Sequence, residues 1–93
     1  MKTYEIMFIL TPKEQDAIEV SINKYINLIN RGKNRVTRVD RWGMKRLAYE
    51  IRDLNKGYYV LATFRCTARI ADELDAEMKR DDNVLRFMII EKD

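Results

Sequence analysis

Tyr4, Ile6, Phe8 and Leu10 occupy every second position near the start of the chain, the period of a strand with one buried side. The other side is polar at Glu5 but apolar at Met7 and Ile9. Thr11-Pro12 is expected to stop the strand and open a helix. Threonine is a good N-cap, proline fits a first helical turn, and Glu14 and Asp16 suit the positive helix end. Ile18, Ile22, Tyr25, Ile26 and Ile29 then follow at helical spacing, and Gly32 after Asn30-Arg31 marks the C-cap region.

A second strand is expected from Asn34 or Arg35. Val36 and Val39 are three apart, so either a bulge intervenes or one valine faces outward, and Gly43 favours an irregularity in this strand. The strand is expected to run on to Ile51, with Leu47, Tyr49 and Ile51 on one side, before turn chemistry over Arg52-Asp53-Leu54-Asn55-Lys56-Gly57. Tyr58, Val60, Ala62, Phe64 and Cys66 predict the inner side of a third strand, with Tyr59, Leu61, Thr63 and Arg65 outside. Thr67 is the natural N-cap of a second helix carrying Ile70, Ala71, Leu74 and Met78. Acids oppose the negative helix end, so that helix should stop by about Arg80, leaving Asp81-Asp82-Asn83 as a loop. A last strand over Val84 to Glu91 would set Leu85, Phe87 and Ile89 against Arg86, Met88 and Ile90.

The order β-α-β-β-α-β predicts an α+β, ferredoxin-like domain: a four-stranded antiparallel sheet with two helices on one face. Right-handed crossovers put the first and third strands in the centre and the long second strand at an edge. The uncovered face would carry Met7, Ile9, Tyr59, Leu61, Met88 and Ile90, with Trp42 nearby. Scattered surface apolar residues are ordinary. Residues from adjacent strands form one patch, however, and that favours a protein partner.

Ninety-three residues, 46% apolar and 35% charged, suit a single soluble domain. No apolar run approaches a membrane span, and the N-terminus carries an acid at Glu5 and does not read as a signal peptide. A lone cysteine, Cys66, excludes an internal disulfide and suits a reducing cytosol. The absence of histidine removes the commonest metal ligand and general base. With no acid–base pair and no glycine-rich loop, neither a catalytic site nor a metal or other cofactor is expected. Some small phosphatases share this topology but carry a glycine-rich anion loop where this chain reads Leu10-Thr11-Pro12-Lys13.

Charge changes the picture at one place. Residues 31–52 hold eight Lys or Arg against Asp40 and Glu50, an excess of six in a chain whose net charge is +3. Edge strands use such charges against unwanted pairing; a basic edge also suits phosphate contacts. Lys56-Gly57-Tyr58 resembles the start of the third-strand motif of RNA-recognition domains, but Tyr59, Val60 and Thr63 depart from it. Base stacking across the sheet is therefore not expected.

Trp42-Gly43-Met44-Lys45-Arg46-Leu47-Ala48-Tyr49-Glu50-Ile51 resembles the signature W/L-G-x-[KR]-[KR]-L-A-Y-x-I of the family of the sixth protein of the bacterial small ribosomal subunit. Tyr4-Glu5-Ile6, Gly57-Tyr58, and Asp82-Asn83-Val84 before Arg86 and Met88 extend the likeness over nearly the whole chain. Many members carry a longer, often acidic tail, whose contribution is expected to be missing from a chain that stops at Asp93. The resemblance implies a non-enzymatic ferredoxin-like protein of the cytoplasmic ribosome. It would bind the central domain of small-subunit ribosomal RNA as a heterodimer with ribosomal protein eighteen.

Face and charge then nominate the residues. Lys2, Arg41, Lys45, Arg46, Lys56 and Arg86 are expected at RNA phosphates; Met7, Ile9, Trp42, Tyr59, Leu61, Met88 and Ile90 are expected at the partner protein. No membrane or small-molecule substrate is expected. The alternative is a stand-alone interaction module that assembles through its open sheet and binds no RNA. An enzyme of small anionic substrates ranks third.

Overall fold

The computed structural model describes residues 1–92. Its elements are β1 (Lys2–Leu10), α1 (Gln15–Ile29), β2 (Arg35–Ile51), β3 (Leu54–Cys66), α2 (Ala68–Arg80) and β4 (Val84–Glu91). The sheet order is β2-β3-β1-β4, with every neighbouring pair antiparallel. This is the expected ferredoxin-like arrangement, with β1 and β3 central and the basic strand β2 at an edge.

One side of the sheet and both helices form the core. Ile6, Phe8 and Leu10 of β1 meet Val60, Ala62, Phe64 and Cys66 of β3 beneath Ile18, Ile22, Tyr25 and Ile29 of α1 and Ile70, Leu74 and Met78 of α2. Burying each large apolar side chain contributes about 1.5–3 kcal/mol. Tyr4 stacks on Phe64 with ring centroids 5.6 Å apart, and Phe8 meets Tyr25 edge-on at 6.0 Å. Burial pushes the Cys66 thiol upward, the behaviour of a structural thiol and not of a nucleophile.

The first helix starts later than Thr11-Pro12 suggested. Its N-cap is Glu14, without a side-chain cap bond. The Thr11 N–H instead donates to the Asn83 carbonyl at 2.8 Å, tying this segment to the loop before β4, and its buried hydroxyl has no hydrogen-bond partner among the described residues. Pro12 disfavours helical backbone at the residue before it, so the extended path continues. At α2 the expectation holds: the Thr67 hydroxyl accepts from the Ile70 N–H at 3.4 Å, and the helix ends at Arg80.

Irregularities in the sheet decide which side chains face where. Val36 pairs with Phe64 and Val39 with Ala62, and the register shifts between Val36 and Arg38. Thr37 is thus the extra residue, and both valines pack against the core. A second shift, between Arg41 and Gly43, makes Trp42 the extra residue beside a glycine at φ +89°. In β4, Leu10 pairs with Val84 and Ile9 with Arg86, so Leu85 is bulged and Val84, not Leu85, enters the core. The alternation expected from Leu85 onward holds from Arg86.

The β2–β3 turn is also tighter than expected. Ile51 pairs with Leu54, and the two residues between, Arg52 and Asp53, have φ of +52° and +62°. Two consecutive positive values define a type I′ hairpin. Lys56 and Gly57 lie inside β3 and not in the turn.

Candidate nucleic-acid interface

The face of the sheet away from the helices carries Met7, Ile9, Tyr59, Leu61, Met88 and Ile90, as alternation anticipated. Register sets Met7 between Leu61 and Met88, and Ile9 between Tyr59 and Arg86. Met88 and Ile90 are exposed at 61% and 46%, and Met7, Tyr59 and Leu61 are half-buried. Met7, Ile9, Arg86, Phe87 and Met88 line a shallow depression here. Trp42, in its bulge, is 48% exposed.

Ile9 departs from the expected exposure: it is buried at 8%. A Cβ placed on Gly57 would stand 2.4 Å from Ile9 Cγ2 and 3.4 Å from Leu47 Cδ2. Leu47, itself 7% exposed, therefore closes with Ile9 over the bare backbone of Gly57. The far part of the β2–β3 hairpin lies across the end of β1, giving the open face a small second core. Glycine is needed at 57 for close packing, not for a turn.

The six expected phosphate ligands do not form one patch. Lys45 pairs with Gly57, and Arg46 with Lys56 directly opposite. All three cations are exposed and make no ion pair or hydrogen bond among the described residues. Lys2 lies at the other end of the sheet, opposite Cys66, with Nζ 3.1 Å from a Glu91 carboxylate oxygen. Cys66 and Lys56 are ten residues apart on β3, roughly 33 Å of strand.

Arg41 is the clearest departure. It pairs with the fully buried Val60, so it emerges on the helix side, where its Nε and Nη2 donate to the two carboxylate oxygens of Glu19 on α1 at 2.9 and 2.8 Å. Gln15 also donates to Glu19, at 3.1 Å. The Arg41 hydrogen bond, which outweighs the effect of burial, holds the Glu19 carboxyl below its usual value. Nothing in the local sequence announces this pair, because its members lie 22 residues apart.

Arg86 is likewise engaged. Its guanidinium sits 5.1 Å from the centroid of the Tyr49 ring and donates to the Tyr49 hydroxyl. Arg52, at the hairpin turn, donates to the carbonyls of Asp82 at 2.8 Å and Val84 at 3.3 Å. Tyr49 and Arg52 were not anticipated as a clasp. Their only signal was their place in and just after the alternating run Leu47, Tyr49, Ile51.

Comparison with known proteins accords with this geometry. The family model described as Ribosomal protein S6 matches residues 3–91. Small ribosomal subunit protein bS6 of Moorella thermoacetica is 42% identical over 90 residues, covering 96% of this chain and 92% of that protein. Its counterpart in Carboxydothermus hydrogenoformans is 38% identical over 94 residues, covering 100% and 98%. The crystal structure of 30S ribosomal protein S6 from Thermotoga maritima superposes with a TM-score of 0.89 at 29% identity, covering 98% of this chain and 87% of that one. From a signature on β2, a ferredoxin-like sheet and relatives matched along nearly their full length, the conclusion is direct: the chain belongs to the ribosomal protein S6 family, non-enzymatic RNA-binding proteins of the small subunit of the cytoplasmic ribosome.

Proposed function

We propose that this protein binds the central domain of small-subunit ribosomal RNA together with ribosomal protein eighteen, as a heterodimer, and acts by positioning. The observation that carries this reading is the separation of two kinds of surface. Lys45, Arg46 and Lys56 stand exposed near the hairpin with no carboxylate paired to them among the described residues, while the apolar side chains of Met7, Tyr59, Leu61, Met88 and Ile90 gather on the open face. Cations without internal partners suit phosphates, which supply affinity and orientation. A half-exposed apolar patch suits a protein, and Trp42, exposed in its bulge, offers such a partner a large aromatic side chain.

Within this reading, Lys45, Arg46 and Lys56 meet RNA first. Lys2, Arg41 and Arg86 reach phosphates by exchanging Glu91, Glu19 and Tyr49 for RNA oxygens. Ile9 supports the partner surface from beneath.

The test is binding of a central-domain transcript with and without ribosomal protein eighteen over a range of salt. Binding that weakens steeply as salt rises is expected, because phosphate neutralisation releases counterions. No RNA binding at low salt with the partner present would overturn the proposal and favour an interaction module that uses its sheet alone.

A further inference from the structure

The β2–β3 ladder sets two pairs of cations directly opposite one another. Arg46 faces Lys56 toward the hairpin, and Arg35 faces Arg65 at the other end. Directly opposed like charges destabilise a sheet. All four side chains are exposed, and none meets a carboxylate among the described residues. Arg35 donates to the carbonyls of Gly32 and Asn34 at 2.7 and 2.6 Å, which hold its guanidinium without neutralising it. Arg38, Arg41 and Arg31 are matched instead, with Asp40, Glu19 and Glu73, while Lys45 stands exposed beside the first pair. The four cations of the two opposed pairs are available to an external anion.

Position separates the two pairs. Lys56 and Arg65 are nine residues apart on β3, roughly 30 Å of strand. Nine is odd, so the pairs emerge on opposite sides of the sheet. Arg65 shares its side with Tyr59 and Leu61, the open face; Lys56 shares its side with Tyr58 and Val60, the helix face. Thirty ångströms corresponds to about nine stacked nucleotides of one strand at 3.4 Å each, so neighbouring phosphates do not reach both.

We infer that β2 and β3 carry two separate phosphate-binding poles, Arg46 with Lys56 and Arg35 with Arg65, so that one molecule holds two segments of RNA on opposite sides of its sheet. The inference rests on the RNA-binding reading above and adds the second pole and the bridging geometry to it.

The experiment compares the full chain with Arg46→Gln/Lys56→Gln, Arg35→Gln/Arg65→Gln, and Arg65→Gln alone, which keeps the Arg35 bonds to the loop. Each is bound to the central-domain transcript with the partner protein present, and both the salt dependence of affinity and the hydroxyl-radical footprint are read. Each double variant should lower the slope of log affinity against log salt by about 1.4–1.8, at 0.7–0.9 per phosphate contact. Each should also erase protection of a different RNA segment, and Arg65→Gln should give about half the effect of its pair. A wild-type slope and footprint in both Arg65 variants would overturn the second pole while leaving the RNA reading intact. Lost capture of the partner protein at unchanged RNA slope would overturn it too, because that end of the strand would then serve a protein. Absence of RNA binding by the unmodified chain would remove both.

Discussion

The guanidinium of Arg86 on β4 lies over the ring of Tyr49 on β2, 5.1 Å from its centroid, and joins strands at opposite edges of the sheet. With Arg52 bonded to the carbonyls of Asp82 and Val84, it clasps the β2–β3 hairpin onto the start of β4. An exposed cation–π contact is worth about 0.5–1 kcal/mol. Arg86→Gln should therefore lower unfolding stability by roughly that amount in urea titration. It should also speed tryptic cleavage at Arg52 relative to other sites.

Gly57→Ala should be more damaging than a glycine replacement in a strand ordinarily is. Its Cβ would collide with Ile9 Cγ2 at 2.4 Å, beside Leu47. Overpacking of this kind costs about 1–3 kcal/mol. Combining it with Ile9→Ala should recover part of the loss, and a double-mutant cycle of denaturation midpoints checks the coupling.

Acid should weaken the junction of α1 with the end of α2. Asp81 accepts from the Tyr25 hydroxyl, from the Asn83 N–H at 2.8 Å and from Lys24 Nζ at 3.4 Å. Burial alone would raise this carboxyl, but those donors together hold it below its usual value. Burial, then the bond to Asp81, pushes the Tyr25 hydroxyl far up. Because the folded carboxyl is depressed, its contribution is full above the unfolded value of about 3.9 and is lost as pH falls through the lower folded value. Asp81→Asn should cost about 1–3 kcal/mol at pH 7. It should also flatten the stability curve below about pH 4, measured by thermal melts across pH.

Met88→Lys and Leu61→Lys separate folding from association. Met88 is 61% exposed, so its replacement should change stability by less than about 0.5 kcal/mol while weakening capture of the partner protein. Leu61→Lys, at the half-buried centre of the patch, should abolish capture. If both variants retain fold and association, the open face is not the partner surface.

Much of the architecture was legible because each element obeys one period. The stripes of α1 and α2, the alternation of β1 and β3, and the Thr67 cap all describe local chemistry that the chain carries with it. Positions were lost where the period breaks. The extra residue Leu85 sends Val84 inward with no local signal to mark it; at Val36 and Val39 the spacing of three leaves a bulge and an outward valine as alternatives, and only the register, with Thr37 extra, decides between them. Site residues were harder to read for a different reason. Basicity identifies Arg41 and Arg86 as cations, but their engagement with Glu19 and Tyr49 exists only after distant segments have packed. The Arg35–Arg65 juxtaposition is likewise a property of register, and register is fixed across the sheet and not along the strand.

The register shifts of β2 also bear on the life of the chain before it meets RNA. Its regular pairing with β3 is broken after Val36, after Arg41 and after Arg46, leaving the short stretches Arg38–Arg41 and Gly43–Arg46. Fibril-forming segments are typically six or seven residues of unbroken extended chain with low net charge. No stretch of paired β2 before the hairpin reaches that length. An unassembled copy thus offers its neighbours an interrupted, charged rail in place of a template, so a pool of free protein awaiting assembly should stay dispersed instead of stacking edge to edge.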